Sequence, residues 1–151
     1  MAKYGVLLEK ATLSTTVGLG ALINPGASPR RFAIGDLNFG SQSAAGDGTI
    51  QLEVNRSTTA PTGTAITPAQ LDMADPASIM VANENLTVQG TNTAGVIPYG
   101  DAQNQRATFR WVARQGEEII APATINAGFH FNTPVAITTP AGCLHVLYTE
   151  M

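Results

Sequence analysis

Three soft side chains, His130, Cys143 and His145, are the natural place to look for chemistry in this chain. Cys143 and His145 stand at i and i+2, so on a strand they share one face. His130 on a neighbouring strand would complete a three-ligand set of the type that holds zinc. The alternative is one core thiol and two strand histidines, since unpaired cysteine usually behaves as a small buried apolar group. A metal site of the cupin type needs His-x-His, which the chain lacks. Cys143 as a nucleophile would need a base in line with its sulfur, and a histidine two residues along a strand gives no such relay.

Other charged and aromatic groups have similar double readings. Asp72 and Asp75 are paired carboxylates of the kind that do acid–base work or hold calcium. Next to Pro76, Asp75 more simply opens a turn. Glu117 and Glu118 follow Gly116 and read as solvated turn charges. Phe109 and Trp111 on one strand face would make a sugar-stacking platform or part of the core. Arg106, Arg110 and Arg114 recur every four residues, which on a strand keeps all three on one face, facing either a partner's carboxylates or water. No phosphate-binding loop, dinucleotide fingerprint, serine elbow or Cys-x-x-Cys pair is present.

These residues sit in segments with period-two patterning. Ile50, Leu52 and Val54 alternate with Gln51, Glu53 and Asn55, a half-buried strand. Residues 107–114 alternate in the same way, and 126–132 places Phe129 and Phe131 on one face. The run from Cys143 to Tyr148 is apolar on both sides apart from His145, as in a strand covered on both faces. Residues 31–39 read as a strand interrupted at Gly35-Asp36, where a bulge is expected. Residues 86–90 and 117–121 are shorter candidates. Turn signals fall at 24–26, 46–48, 61–63, 99–101, 114–116 and 140–142. One short helix is predicted from Thr67 as N-cap and Pro68 at the first helical position, ended by Pro76.

Seven to nine short strands and one short helix predict an all-β chain, a jelly-roll or Greek-key β-sandwich of about eight strands. Residues 1–27 are expected to form an N-terminal arm or edge strand, and 28–151 a single sandwich domain. The chain has 151 residues, 13% charged, 44% apolar and 6% aromatic, with a formal charge of -3. That length suits one domain with a core large enough to need no staples. Eight scattered basic residues argue against a nucleic-acid binder. The apolar content argues against disorder, and the scarcity of Glu and Lys against a helical bundle. One cysteine forms no intrachain disulfide. The first ten residues make a poor secretory signal, and no apolar run reaches the about 20 residues of a bilayer span, so a soluble chain made in the cytosol is expected.

Three blocks carry a resemblance. They are Ser28-Pro29-Arg30-Arg31-Phe32 to Asp36-Leu37-Asn38-Phe39-Gly40-Ser41; Arg56-Ser57-Thr58-Thr59-Ala60 with Gly63 to Pro68 and Leu71 to Ala77; and Asn104 to Ala113 with Gly116-Glu117-Glu118, Pro122-Ala123-Thr124 and Asn132-Thr133-Pro134. Together, over roughly residues 28 to 148, the chain resembles small virion proteins of tailed bacteriophages and prophages, of the jelly-roll capsid decoration, or cement, type. The resemblance implies a structural protein with no enzymatic activity and no cofactor or metal. It implies a homotrimer on the outer surface of the virion capsid, made in the host cytoplasm, clamping the phage major capsid protein and touching neither nucleic acid nor membrane. Residues expected at its interfaces are Tyr4, Leu7, Leu8, Arg30, Arg31, Arg106, Arg110, Arg114 and Tyr148. The other function class to weigh is a carbohydrate- or receptor-binding jelly-roll module using Phe109 and Trp111.

Overall fold

A computed structural model describes residues 1–43, 46–135 and 140–151. Twelve strands are described: β1 (Lys3–Lys10), β2 (Gly20–Ile23), β3 (Phe32–Ser43), β4 (Thr49–Ser57), β5 (Thr62–Ile66), β6 (Ala69–Gln70), β7 (Val81–Val88), β8 (Tyr99–Asn104), β9 (Phe109–Val112), β10 (Ile119–Ala121), β11 (Gly128–Asn132) and β12 (Ala141–Glu150). They form two antiparallel sheets. Sheet A runs β10-β3-β12-β1-β6, with β9 also paired to β3, and sheet B runs β5-β7-β2-β11-β4-β8.

Alternating side chains build the core between the sheets. Sheet A turns Tyr4, Val6 and Leu8 of β1 and Leu144, Val146 and Tyr148 of β12 inward. Sheet B answers with Ile50, Leu52 and Val54 of β4 and Phe129 and Phe131 of β11. Phe32 of sheet A meets Phe129 of sheet B edge to face, with centroids 5.8 Å apart. Fully burying side chains of this size contributes about 1.5–3 kcal/mol each.

The interruption expected at Gly35 is a bulge. Tyr148 pairs with Ile34 and Leu147 with Asp36, leaving Gly35 unopposed. The extra residue shifts the parity of β3, so Phe32 and Ile34 point inward before it and Leu37 and Phe39 after it. A strict alternation would have turned one of those pairs to solvent.

No helix occurs among the described residues, so the short helix expected after Thr67 is corrected. Ala69 and Gln70 pair with Gly5 and Tyr4 as β6, and the Leu71 N–H donates to the Lys3 carbonyl at 2.9 Å. Between Pro68 and Pro76 there is too little chain for a helix to recover its nucleation cost, while the free edge of β1 offers ready partners. The segment then turns at Asp72–Asp75, with the Asp72 carboxylate accepting the Ala74 N–H at 2.9 Å.

The N-terminal segment is built into both sheets. β1 pairs along its whole length with β12 and has only the two-residue β6 beyond it, so it is an edge strand of sheet A in all but two positions. β2 lies inside sheet B between β7 and β11 and is buried throughout. Of the arm and edge-strand readings of residues 1–27, β1 fits the edge strand, and β2 lies inside sheet B rather than in an arm. The β1 edge is tied to β7: the Glu9 N–H donates to the Glu84 carboxylate at 2.9 Å, and Lys10 Nζ donates to the Leu86 carbonyl at 2.6 Å. On the opposite side, Tyr99 of β8 stacks on Phe109 of β9 and packs against Trp111, with centroids at 5.8 and 5.2 Å.

Candidate interaction surfaces

Three of the expected interface residues are core residues. Tyr4, Leu8 and Tyr148 are at most 2% exposed. Their strand positions share the inward parity, and the sequence alone does not say which parity is inward. The Tyr4 and Tyr148 rings stack at 5.4 Å. The Tyr4 hydroxyl donates to the Pro76 carbonyl at 2.9 Å, and Ser78 Oγ lies 2.6 Å from the Tyr148 hydroxyl. Ser78 Oγ and the Ile79 N–H both donate to the buried Glu150 carboxylate. Tyr4, Tyr148 and Glu150 together hold the 76–79 segment against sheet A. Burial pushes the Tyr148 hydroxyl far above its usual range.

The arginine ladder is also corrected. β9 has only four residues, so Arg110 alone lies on it. Arg106 is in the preceding turn, where its Nε lies 2.8 Å from Asp47 Oδ1. Arg114 is exposed in the following turn, which is closed by Glu117 N–H donating to the Arg114 carbonyl. Arg110 forms a forked pair with Asp36, its Nη2 2.6 Å and its Nε 3.2 Å from the carboxylate. Arg30 and Arg31 are exposed, and Arg30 lies 3.8 Å from Glu150.

The outer face of sheet A carries the remaining expected residue, Leu7. Register places Gly5, Leu147, Asp36 and Val112 in one row across β1, β12, β3 and β9, and Leu7, His145, Asn38 and Arg110 in the next. A Cβ on Gly5 would lie within 3.6 Å of His145, Leu147 and Leu71, so these side chains close over the glycine. Leu7, Leu71 and Val112 are 44%, 56% and 57% exposed, and Met73 next to this patch is almost fully exposed. The one cation–anion pair on the two rows, Arg110–Asp36, neutralises itself.

His130, Cys143 and His145 do not converge. Cys143 and His145 share the outer face of sheet A, as their spacing requires. His130 alternates with the inward Phe129 and Phe131 and so lies on the outer face of sheet B, with the sandwich between them. Burial, with Glu9 adding to it, pushes the Cys143 thiol up, away from the thiolate. Phe109 and Trp111 are half-buried and face Tyr99, so they close an edge of the sandwich. Burial and the neighbouring Asp101 carboxylate push the Tyr99 hydroxyl up to about 12.

A polar site that sequence patterning does not single out surrounds His130. The imidazole is fully buried beneath residues 57–59 and 89–92. Nδ1 lies 2.6 Å from Asn92 Oδ1 and 3.1 Å from Gln89 Nε2, and Nε2 lies 3.0 Å from Ser57 Oγ, whose hydroxyl donates to the Thr59 carbonyl at 2.8 Å. Burial lowers the imidazole to about 4, against a smaller opposing effect of a hydrogen bond to the Thr59 backbone. Gln89 links this network outward, its Nε2 donating to Asn132 Oδ1 at 3.0 Å and its Oε1 accepting the Gly18 N–H at 2.7 Å. Alongside lies an open cleft of about 210 Å³ between the 14–18 loop and the side chains of Glu53, Asn55, Asn92 and Asn132. Searches against protein-family models, curated proteins and solved structures return no match to this chain.

Proposed function

We propose that this chain is a structural capsid decoration protein, which binds the outer surface of a phage head as a homotrimer and clamps neighbouring major capsid subunits. The observation that carries this reading is the outer face of sheet A. It is built on continuous β-pairing with a bulge at Gly35, levelled by Gly5, and studded with Leu7, Leu71, Leu147 and Val112. An apolar patch of Leu7, Leu71 and Leu147, separated from Val112 by the self-neutralising Arg110–Asp36 pair, suits an interface core. The resemblance of the three sequence blocks to decoration proteins points the same way.

The strand order supports a jelly-roll wiring. β1-β12-β3-β9 faces β2-β11-β4-β8, and β5 and β7 extend the second sheet beyond β2. In this reading each protomer adds a modest contact, and the many copies on a shell add up through multivalency.

Solution mass and capsid co-sedimentation test the proposal. A trimer that saturates on capsids, and loses binding in Leu7→Asp and Leu147→Asp variants with an unchanged melting temperature, is expected. A monomer at working concentration, or capsid binding untouched by both substitutions, overturns it.

A further inference from the structure

The cleft beside His130 lies on the outer face of sheet B, away from the face used above, and its polar atoms are already sorted. The Asn132 carbonyl oxygen accepts from Gln89 Nε2, and the Asn92 carbonyl oxygen lies 2.6 Å from His130 Nδ1. The Asn55 amide nitrogen donates to Glu53 Oε2 at 3.4 Å, and Gln51 donates to Glu53 Oε1 at 2.8 Å. These contacts engage one end of each carboxamide. The groups left for a ligand are the amide N–H groups of Asn92 and Asn132, the carbonyl oxygen of Asn55, and the remaining lone pairs of Glu53.

That set selects by charge. Two amide donors disfavour a metal cation, and the Glu53 carboxylate disfavours an anion. A neutral polyhydroxyl compound suits both, because each hydroxyl donates and accepts at once. Val17 and Pro134 add an apolar wall on which the C–H face of a sugar ring can rest. The volume is below that of drug-sized pockets and has room for one ring, not an oligosaccharide.

The walls are held before any ligand arrives. Ser14 Oγ accepts the N–H groups of Thr16 and Val17, both at 3.2 Å. Thr133 Oγ1 donates to the Ser14 carbonyl at 3.1 Å, and Gln89 holds the Gly18 N–H. A site with its donors and acceptors already oriented loses little entropy on binding.

We infer that this cleft binds one neutral hexose unit, free or at the end of a glycan chain. Saturation-transfer NMR with glucose, galactose, mannose and N-acetylglucosamine tests the free sugars, and an array of immobilised glycans tests chain ends. Transfer to at least one sugar is expected, with binding weakened roughly tenfold or more in Glu53→Ala, as a hydroxyl loses its acceptor. Thr15→Trp, which places an indole at the exposed rim of the cleft, should abolish it without altering the melting temperature. Trp111→Leu should leave it unchanged. No transfer to any of the four sugars together with a blank array overturns the inference. So does binding that survives Thr15→Trp, or binding lost only in Trp111→Leu, which would move the sugar to the β9 edge. If Glu53→Ala does not fold, Thr15→Trp decides. Capsid co-sedimentation of Thr15→Trp reads the decoration proposal separately, since that variant leaves sheet A untouched.

Discussion

Acid should unfold this protein through His130. The imidazole is buried and neutral, with Ser57 Oγ, Gln89 Nε2, Asn92 Oδ1 and the Thr59 backbone around it and no carboxylate among its direct partners. In the unfolded chain it takes a proton near 6.5, and in the fold not until about 4. The unfolded state therefore binds more protons throughout that interval, and stability falls as pH falls. Above 6.5 the neutral imidazole costs nothing in either state. From about pH 7.5 to about pH 5 the loss from this one residue is about 2 kcal/mol, and it levels off near 3 kcal/mol below pH 4. Urea unfolding across that range measures it, with His130→Gln as comparator so that carboxylate titrations common to both proteins cancel. The wild-type curve should fall more steeply, the gap between the two closing toward low pH. Parallel curves, or an imidazole NMR titration midpoint near 6.5, would refute the reasoning.

Three further outcomes follow from the packing. A chain lacking residues 1–23 should fail to fold, by circular dichroism and near-ultraviolet spectra. It loses Tyr4, Val6 and Leu8, which together contribute on the order of 5–9 kcal/mol, comparable with the total stability of a domain; a cooperative melt from that fragment would show the arm reading to be the better one. Gly128→Ala should cost on the order of 2–4 kcal/mol, because the added Cβ would lie 2.3 Å from the Leu22 carbonyl oxygen and 2.5 Å from Ile23 Cα, both backbone. A chemical-denaturation midpoint equal to wild type would contradict that geometry. Arg110→Ala should lower the melting temperature only slightly, since the guanidinium is largely exposed although the Asp36 carboxylate is mostly covered, yet weaken any contact made by the sheet A face; a large drop in melting temperature would mean the ion pair supports the fold.

What was legible in the sequence was whatever depends on alternation alone. β4 and β11 read directly, because Ile50, Leu52 and Val54, and Phe129 and Phe131, keep parity within one strand. The bulge read as well, because Gly35 interrupts an otherwise apolar run. Within 1–27 the sequence leaves an arm or an edge strand open and does not bound β1, because its inward set is Tyr4, Val6, Leu8 and Lys10. A lysine at the inward position breaks the pattern, and only the Leu86 carbonyl on β7, brought close by the sandwich edge, makes that burial tolerable. Burial lowers the Lys10 ammonium from its usual value for the same reason. β8 was missed because Tyr99-Gly100-Asp101 carries turn residues, and it is a strand only because β4 supplies its partners. Glu150 continues the inward parity of β12 and looks exposed in sequence, until Ser78 and the Ile79 N–H cap it.

The surfaces divide along the same line. Leu7 and Leu147 face outward because they are out of phase with Tyr4 and Tyr148, so the choice of inward parity decides which side chains the proposed interface can use, and composition does not make that choice. The cleft lies beyond such reasoning altogether. Its groups come from four separate stretches, 14–18, 53–55, 89–92 and 132–134, and each is an ordinary carboxamide or hydroxyl with no local spacing to mark it. The sparse charge has a spatial cause as well. Of the basic residues, Lys10 is buried, Arg106 and Arg110 are matched by Asp47 and Asp36, and Arg30 lies against Glu150. Half of the eight basic residues are thus paired or buried within the chain, and the central rows of sheet A are left close to neutral. A face of that kind gains little from long-range steering. If the decoration proposal holds, its association should depend weakly on salt and strongly on apolar contact.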